Sequence, residues 1–310
     1  MKFVKLGNTG IEVPAIVVGC MRFAGMSDSE LNHFVHLALG NKANYFDHAD
    51  IYGGGRCEEN FGRAIMSDKS IKREDLTIQT KCAINRHTEV THYNFTKDYI
   101  LSSVDASLKR LNTDYLDVLL LHRPDALCDP YEVADAFDKL KTSGKVLKFG
   151  VSNHKPMQIE LLKKAVKEDL IINQLQFSIP VSNMVASGME VNMTTRGAYD
   201  RDGSVLDYSR INDMTIQAWS PFQMPRWMGP FIGSMLYPRL NKALKEIASE
   251  HNTTPTAIAT AWITTHPANM QVIAGTTTEE RLKQIIGGSE IKLSHDEWYK
   301  LYRTAGHRLP

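Results

Sequence analysis

Four side chains able to carry or steady a proton are spaced along the first 122 residues: Asp47, Tyr52, Lys81 and His122. A phenol with a pKa of about 10 is a weak proton donor near neutrality. An ammonium beside it favours phenolate and so strengthens the donor. At about 4 Å and an effective dielectric near 20, one unit charge contributes roughly 4 kcal/mol as an upper guide. An aspartate would keep that lysine charged and in place, and a histidine could hydrogen-bond and orient a substrate oxygen. Such a set suits protonation of an oxygen that is gaining negative charge. A carbonyl receiving hydride is such an oxygen.

For these side chains to meet, the chain must bring distant positions together. Residues 3–6 and 11–13 flank Gly7-Asn8-Thr9-Gly10 and predict a hairpin. After it, strand and helix patterns alternate. Strands are predicted at 16–18, 44–47, 76–81, 116–121, 146–151, 171–175, 215–219 and 271–274. Helices are predicted at 27–39, 58–66, 98–111, 131–142 and 159–166, from apolar spacing and turn signals. Eight such units predict a single-domain (β/α)8 TIM barrel over 1–310 with an N-terminal β-hairpin. In that fold the C-terminal strand ends share one bowl. Asp47, Lys81 and His122 each close a predicted strand, and Tyr52 follows the first of them by five positions. Two long connections, 176–209 and 221–238, would emerge on the same face. The second is rich in large apolar residues and prolines, as a pocket wall would be.

Composition narrows the function classes. Lys+Arg is 36 and Asp+Glu 35, a net charge of +1, which argues against holding nucleic acid or acidic membrane by overall charge. No apolar run approaches the roughly 20 residues of a membrane span. The four cysteines, Cys20, Cys57, Cys82 and Cys128, lack zinc or thioredoxin spacing and read as reduced thiols in a cytoplasmic protein. No G-x-G-x-x-G follows the first strand, so an open dinucleotide-binding sheet is disfavoured. Arg123 and Asp125 read as loop contacts, and Lys163, Lys164 and Lys167 as a solvated helix face.

The order and spacing of several segments resemble the aldo-keto reductases along essentially the whole chain. The matching pieces are Phe46-Asp47-His48-Ala49-Asp50-Ile51-Tyr52-Gly53, Leu108-Lys109-Arg110-Leu111 with Tyr115-Leu116-Asp117, and Gly150-Val151-Ser152-Asn153. Asn173-Gln174, Ala218-Trp219-Ser220-Pro221 and Gly275-Thr276-Thr277 with Arg281-Leu282 complete the series. The Asp-His-Ala-Asp run resembles a subgroup of bacterial oxidoreductases. The resemblance implies a nicotinamide cofactor on a barrel without a Rossmann fold. It implies Tyr52 as proton donor, tuned by Lys81 and Asp47, with His122 orienting the carbonyl. Ser152, Asn153 and Gln174 would bind the carboxamide, and Trp219 would stack on the nicotinamide. Ser220, Pro221 and Phe222 would meet the pyrophosphate. Gly275, Thr276, Thr277, Arg281 and Gln284 would lie along the adenosine phosphate, with Met21 as a further cofactor contact.

Many members of that family carry a lysine where this chain has Gly275. Arg281 remains and could grip a 2′-phosphate, so NADPH is the expected cofactor, with NADH possible. The expected partner is a small-molecule carbonyl substrate, with no nucleic acid, no membrane and no metal, in a monomer. Phe23, Tyr93, Trp227 and Phe231 form an apolar candidate pocket, pointing to a non-ionic or partly aromatic substrate. A long C-terminal specificity loop is not expected. Two other classes remain open: a metal-dependent barrel hydrolase using Asp47, His48, Asp50 and His122, and a cofactor-binding regulatory protein without catalysis.

Overall fold

The computed structural model describes residues 1–86 and 88–309, apart from the side chain of Trp227. Its centre is a closed barrel of eight parallel strands. They are β1 (Ile16–Gly19), β2 (Tyr45–Asp47), β3 (Thr77–Cys82), β4 (Leu116–Leu121), β5 (Val146–Ser152), β6 (Leu170–Gln176), β7 (Thr215–Trp219) and β8 (Met270–Ala274). Each pairs with the next in sequence, and β8 closes on β1, the arrangement of a (β/α)8 barrel. The N-terminal strands Phe3–Lys5 and Glu12–Pro14 form an antiparallel hairpin outside the barrel.

Two apolar cores follow from this geometry. The larger lies between strands and helices. The smaller fills the barrel with Val17, Tyr45, Val118, Leu120, Ile172 and Ile273, and joins Leu6 and Val13 of the hairpin. The hairpin therefore plugs the N-terminal mouth. Gly7 sits in the left-handed region there, where a Cβ would come within 2.6 Å of Ile171 Cβ.

The predicted helices appear with boundaries shifted by at most a turn. Asp28–Gly40 starts at Ser27, whose side chain accepts from Glu30 N in a full capping box. Pro130 and Pro156 each open a helix at its first turn, ahead of the apolar periodicity that announced it. The connection 176–209 is more ordered than expected, holding helices Asn183–Met189 and Val205–Ile211. The connection 221–238 folds back on itself through a bridge between Gln223 and Pro230. Among the described residues no helix is long and apolar enough to cross a membrane.

Candidate active site

Strand register brings the four acid–base candidates together. Asp47 is level with Gln79 across β2 and β3, and Lys81 lies one inward position further along β3. Lys81 Nζ donates to both Asp47 carboxylate oxygens, at 2.7 and 2.8 Å, and to the His48 carbonyl at 2.8 Å. It also reaches the Tyr52 hydroxyl at 3.2 Å. The Tyr52 ring meets His122 edge-on, with centroids 6.1 Å apart. Asp47, Tyr52 and His122 line one cavity of about 790 Å³.

The charges in this cluster are set by burial and by one another. Burial works against the Lys81 ammonium, but Asp47 and Tyr52 prevail and hold it above its ordinary value. Burial pushes the Tyr52 phenol up, opposed by Lys81, and the nearby Asp47 charge adds to the rise. The phenol thus stays protonated at neutral pH. The expectation that Lys81 alone would bring it below its ordinary pKa is corrected by desolvation and the Asp47 counter-charge. Burial, then Lys81, Arg123 and Arg86, drive His122 well below the usual imidazole value. It is a neutral ring, able to donate one N–H to an oxygen.

Beneath these groups lies a layer of amides of which sequence reading singled out only Gln174. Asp47 Oδ1 accepts from Gln79 Nε2 at 2.5 Å and from Gln174 Nε2 at 3.0 Å. Both glutamines also donate to Gln217 Oε1. Gln217 Nε2 donates to Gln271 Oε1 at 2.9 Å, and Gln271 Nε2 to the Pro14 carbonyl at 2.7 Å. Tyr45 donates to Gln79 Oε1. Above the aliphatic filling of the barrel, this layer carries a hydrogen-bonded network whose members satisfy one another. The signal in the sequence was Gln217 and Gln271, each inside a largely apolar strand, whereas Gln79 sits among Thr77, Thr80 and Lys81 and did not stand out.

From the acid–base cluster the cavity extends as a groove lined by Met21, Ser152, Asn153, Gln174, Trp219, Ser220, Pro221 and Phe222, and then by Gly275, Thr276, Thr277 and Arg281. Asn153 and Ser220 have left-handed backbones, turning the chain sharply at the ends of β5 and β7. Trp219 Nε1 donates to Asn153 Oδ1 at 3.1 Å, which fixes the indole at the wall. Both amide hydrogens of Gln174 are used on Asp47 and Gln217, so its oxygen is the acceptor left for a ligand. Aromatic wall, amide acceptor and terminal arginine suit the ring, carboxamide and phosphates of a nicotinamide dinucleotide. Gln284 is the exception. It lies one turn past Arg281, bonds Glu280 at 3.0 Å and does not line the groove.

Sequence reading missed Arg22 in this groove. Its Nη1 donates to the Gly275 carbonyl. A Cβ on Gly275 would come within 3.1 Å of that nitrogen. The residue at 275 is side-chain-free under a guanidinium supplied from the loop after β1.

The apolar substrate pocket needs correction. Phe23 and Phe231 are fully buried. Phe23 packs against Phe34 and Phe61 behind the barrel wall, not in the cavity. Tyr93 is exposed on a two-stranded ribbon with Ile84 and does not line the cavity. The side chain of Trp227 lies outside the described residues. Loop position alone carries no side-chain direction, so aromatic content misled here. The cavity lining does include Phe222, Gln223, Pro230 and Ile232, together with Arg123, the residue after His122.

The four donors of the metal alternative do not converge. His48 turns into the Phe61 and Phe23 rings, 4.7 and 6.3 Å between centroids, and Asp47 is committed to Lys81. Among the described residues no three His, Cys, Asp or Glu side chains are grouped to hold a metal. Cys82, next to Lys81, is buried, and burial pushes its thiol well up, away from reactivity.

Known proteins resemble this chain over most of its length. An oxidoreductase of uncharacterized role from Bacillus subtilis strain 168, YcsN, is 34% identical over 92% of this chain and 91% of its own. A 6-dehydroglucose reductase from Agrobacterium fabrum strain C58 is 32% identical over 95% of each. The crystal structure of a thermostable aldo-keto reductase, Tm1743, solved with the inhibitor epalrestat, superposes with a TM-score of 0.79 at 29% identity, covering 98% of this chain and all of the other. Residues 15–304 match the sequence profile of the Aldo/keto reductase family. With a closed barrel, a tyrosine–lysine–aspartate chain at its C-terminal mouth and this match, the chain belongs to the aldo/keto reductase family of NAD(P)H-dependent oxidoreductases.

Proposed function

We propose that this protein reduces an aldehyde or ketone on a small molecule to the alcohol, with NADPH preferred and NADH usable, and with Tyr52 as the proton donor. One barrel domain over 1–310 would carry the whole activity, as a cytoplasmic monomer. The observation that carries the reading is the unbroken contact chain from Asp47 through Lys81 to the Tyr52 hydroxyl at the head of the groove.

Bound in the groove, the cofactor supplies hydride to the carbonyl carbon. The chain's own residues do the rest. Trp219, held by Asn153, would offer its face to the nicotinamide, and the Gln174 oxygen, left free of its own amide's bonds, would accept from the carboxamide. Neutral His122 donates to the substrate oxygen and aims it at Tyr52. As negative charge grows on that oxygen, Tyr52 releases its proton to it. Lys81 steadies the phenolate that remains, and Asp47 keeps the lysine charged. Arg281, with Arg22 nearby, meets the phosphates, and the guanidinium of Arg281 supports the NADPH preference.

The test is tryptophan fluorescence during titration with NADPH and with NADH, followed by turnover of aldehydes. Saturable quenching, tighter for NADPH, together with aldehyde-dependent NADPH oxidation supports the reading. Absence of binding by either cofactor overturns it. The name of the Agrobacterium relative places sugar-derived carbonyls among the first compounds to try.

A further inference from the structure

The charged side chains lining the cavity are unbalanced. Among the described residues Asp47 is the only acid in its wall, and Lys81 neutralises it. Three arginines remain: Arg22, Arg123 and Arg281. Arg22 and Arg281 sit with the Gly275–Thr277 segment, where the proposed cofactor's phosphates give them anions to meet. Arg123 is at the other end, next in the chain to His122, with its guanidinium 5.8 Å from the Trp219 ring.

Among the described residues no acid claims Arg123. Among the described residues it makes no ion pair and no side-chain hydrogen bond. The nearest acid in sequence, Asp125, has both oxygens turned away. One accepts from Phe95 N and the other from Leu127 N, each at 2.9 Å. A second cation, Arg86, reinforces the positive field felt at His122. A cavity with one uncompensated guanidinium beside the Trp219 ring, and with Phe222, Pro230 and Ile232 also in its lining, fits a ligand with an apolar body and an anionic tip.

We propose that Arg123 is an anion-binding subsite, and that the favoured substrates are aldehydes or ketones bearing a carboxylate remote from the carbonyl. The carboxylate engages the guanidinium in a charge-assisted pair while the carbonyl lies at Tyr52 and His122. This rests on the reductase reading above and replaces the non-ionic substrate expected from aromatic loop residues.

The probes are 4-formylbenzoate and its methyl ester, which share a ring and an aldehyde and differ in charge. In the holoenzyme, Arg123→Gln is expected to lower the ratio of kcat/KM for acid over ester by about tenfold or more, mainly through KM of the acid. Arg123→Lys should recover part of that ratio, as a point charge without the fork. An unchanged ratio in Arg123→Gln overturns the subsite. A second arm needs no turnover. Calorimetric binding of acid and ester to the NADPH complex of Tyr52→Phe, with and without Arg123→Gln, reads the preference directly. Loss of acid preference with the arginine supports the subsite, and equal binding overturns it. Failure of wild type to turn over either aldehyde would instead strike the reductase reading and leave the binding arm to decide on Arg123.

Discussion

Lys81 Nζ contacts both carboxylate oxygens of Asp47 with the two side chains only 0% and 2% exposed. A pair buried this deeply is poorly screened by salt and costs much to break one-sidedly. Lys81→Met would leave Asp47 charged and buried. It should lose about 3–5 kcal/mol of stability as well as activity. Urea unfolding checks this, and a loss under about 1 kcal/mol would show that the carboxylate is rescued by the surrounding amides.

Tyr52→Phe keeps the ring and removes only the hydroxyl. Turnover should fall at least about a hundredfold, the scale of a lost general acid, while NADPH binding stays within about twofold. Steady-state rates and fluorescence titration read the two separately. Undiminished turnover would remove Tyr52 from the mechanism.

The pH profile offers a signed test of the same cluster. Tyr52 donates only while protonated, so activity is lost as pH rises through its pKa. Burial holds that pKa above the ordinary value, with Asp47 contributing to the rise. Asp47→Asn should therefore move the alkaline limb of kcat/KM to lower pH. A shift to higher pH would contradict this role for the Asp47 charge.

Asp50 makes a prediction about stability. Burial and the nearby Glu58 push its carboxyl up to about 7, against the pull of Arg110, and its Oδ1 lacks a partner among the described residues. Because the folded pKa lies above the unfolded one, the unfolded chain sheds this proton first. Wild-type stability then declines as pH rises from about 4 to about 7, losing at most about 1.4 kcal/mol for each pH unit crossed. Asp50→Asn removes that slope. Its stability advantage over wild type should be larger at pH 8 than at pH 5 in urea melts. A gap independent of pH would mean that Asp50 is ionised throughout.

Arg281→Ala should weaken NADPH by about tenfold or more and NADH by much less, since only NADPH carries the 2′-phosphate. Equal losses would assign Arg281 to a part shared by both cofactors. Gly275→Lys adds a cation, and its Cβ would lie 3.1 Å from Arg22 Nη1, the flexible end of an exposed side chain that can shift aside. It should therefore tighten NADPH over NADH, and an unchanged ratio would show that position 275 does not face the 2′-phosphate.

The barrel and its acid–base cluster were legible in the sequence because both depend on strand ends. Asp47 ends β2, Lys81 is next to last in β3 and His122 follows β4 directly, and parallel closure brings such positions to one mouth whatever lies between. Helix starts were less exact at Pro130 and Pro156, where the chain enters the helix before its apolar face begins. Side chains on loops were the hardest. Phe23 and Phe231 turn inward to packing that no local period encodes, while Arg22 and Arg123 turn into the cavity. Gln217 and Gln271 were visible only as polar residues in largely apolar strands, and Gln79 lay among other polar residues. Their meaning came from register, which sets three separate strands at one level.

That amide column also has a polarity. It ends at Asp47 above and at the Pro14 carbonyl below, and neither end can donate a proton. Rotating any one amide by a half-turn would set oxygen against oxygen somewhere along the line. The order is thus dictated from both termini, and the last member, Gln174, must show the groove a lone pair. The hairpin that plugs the far mouth of the barrel, through the carbonyl of its final residue, takes part in choosing which end of a carboxamide a ligand can present on arrival.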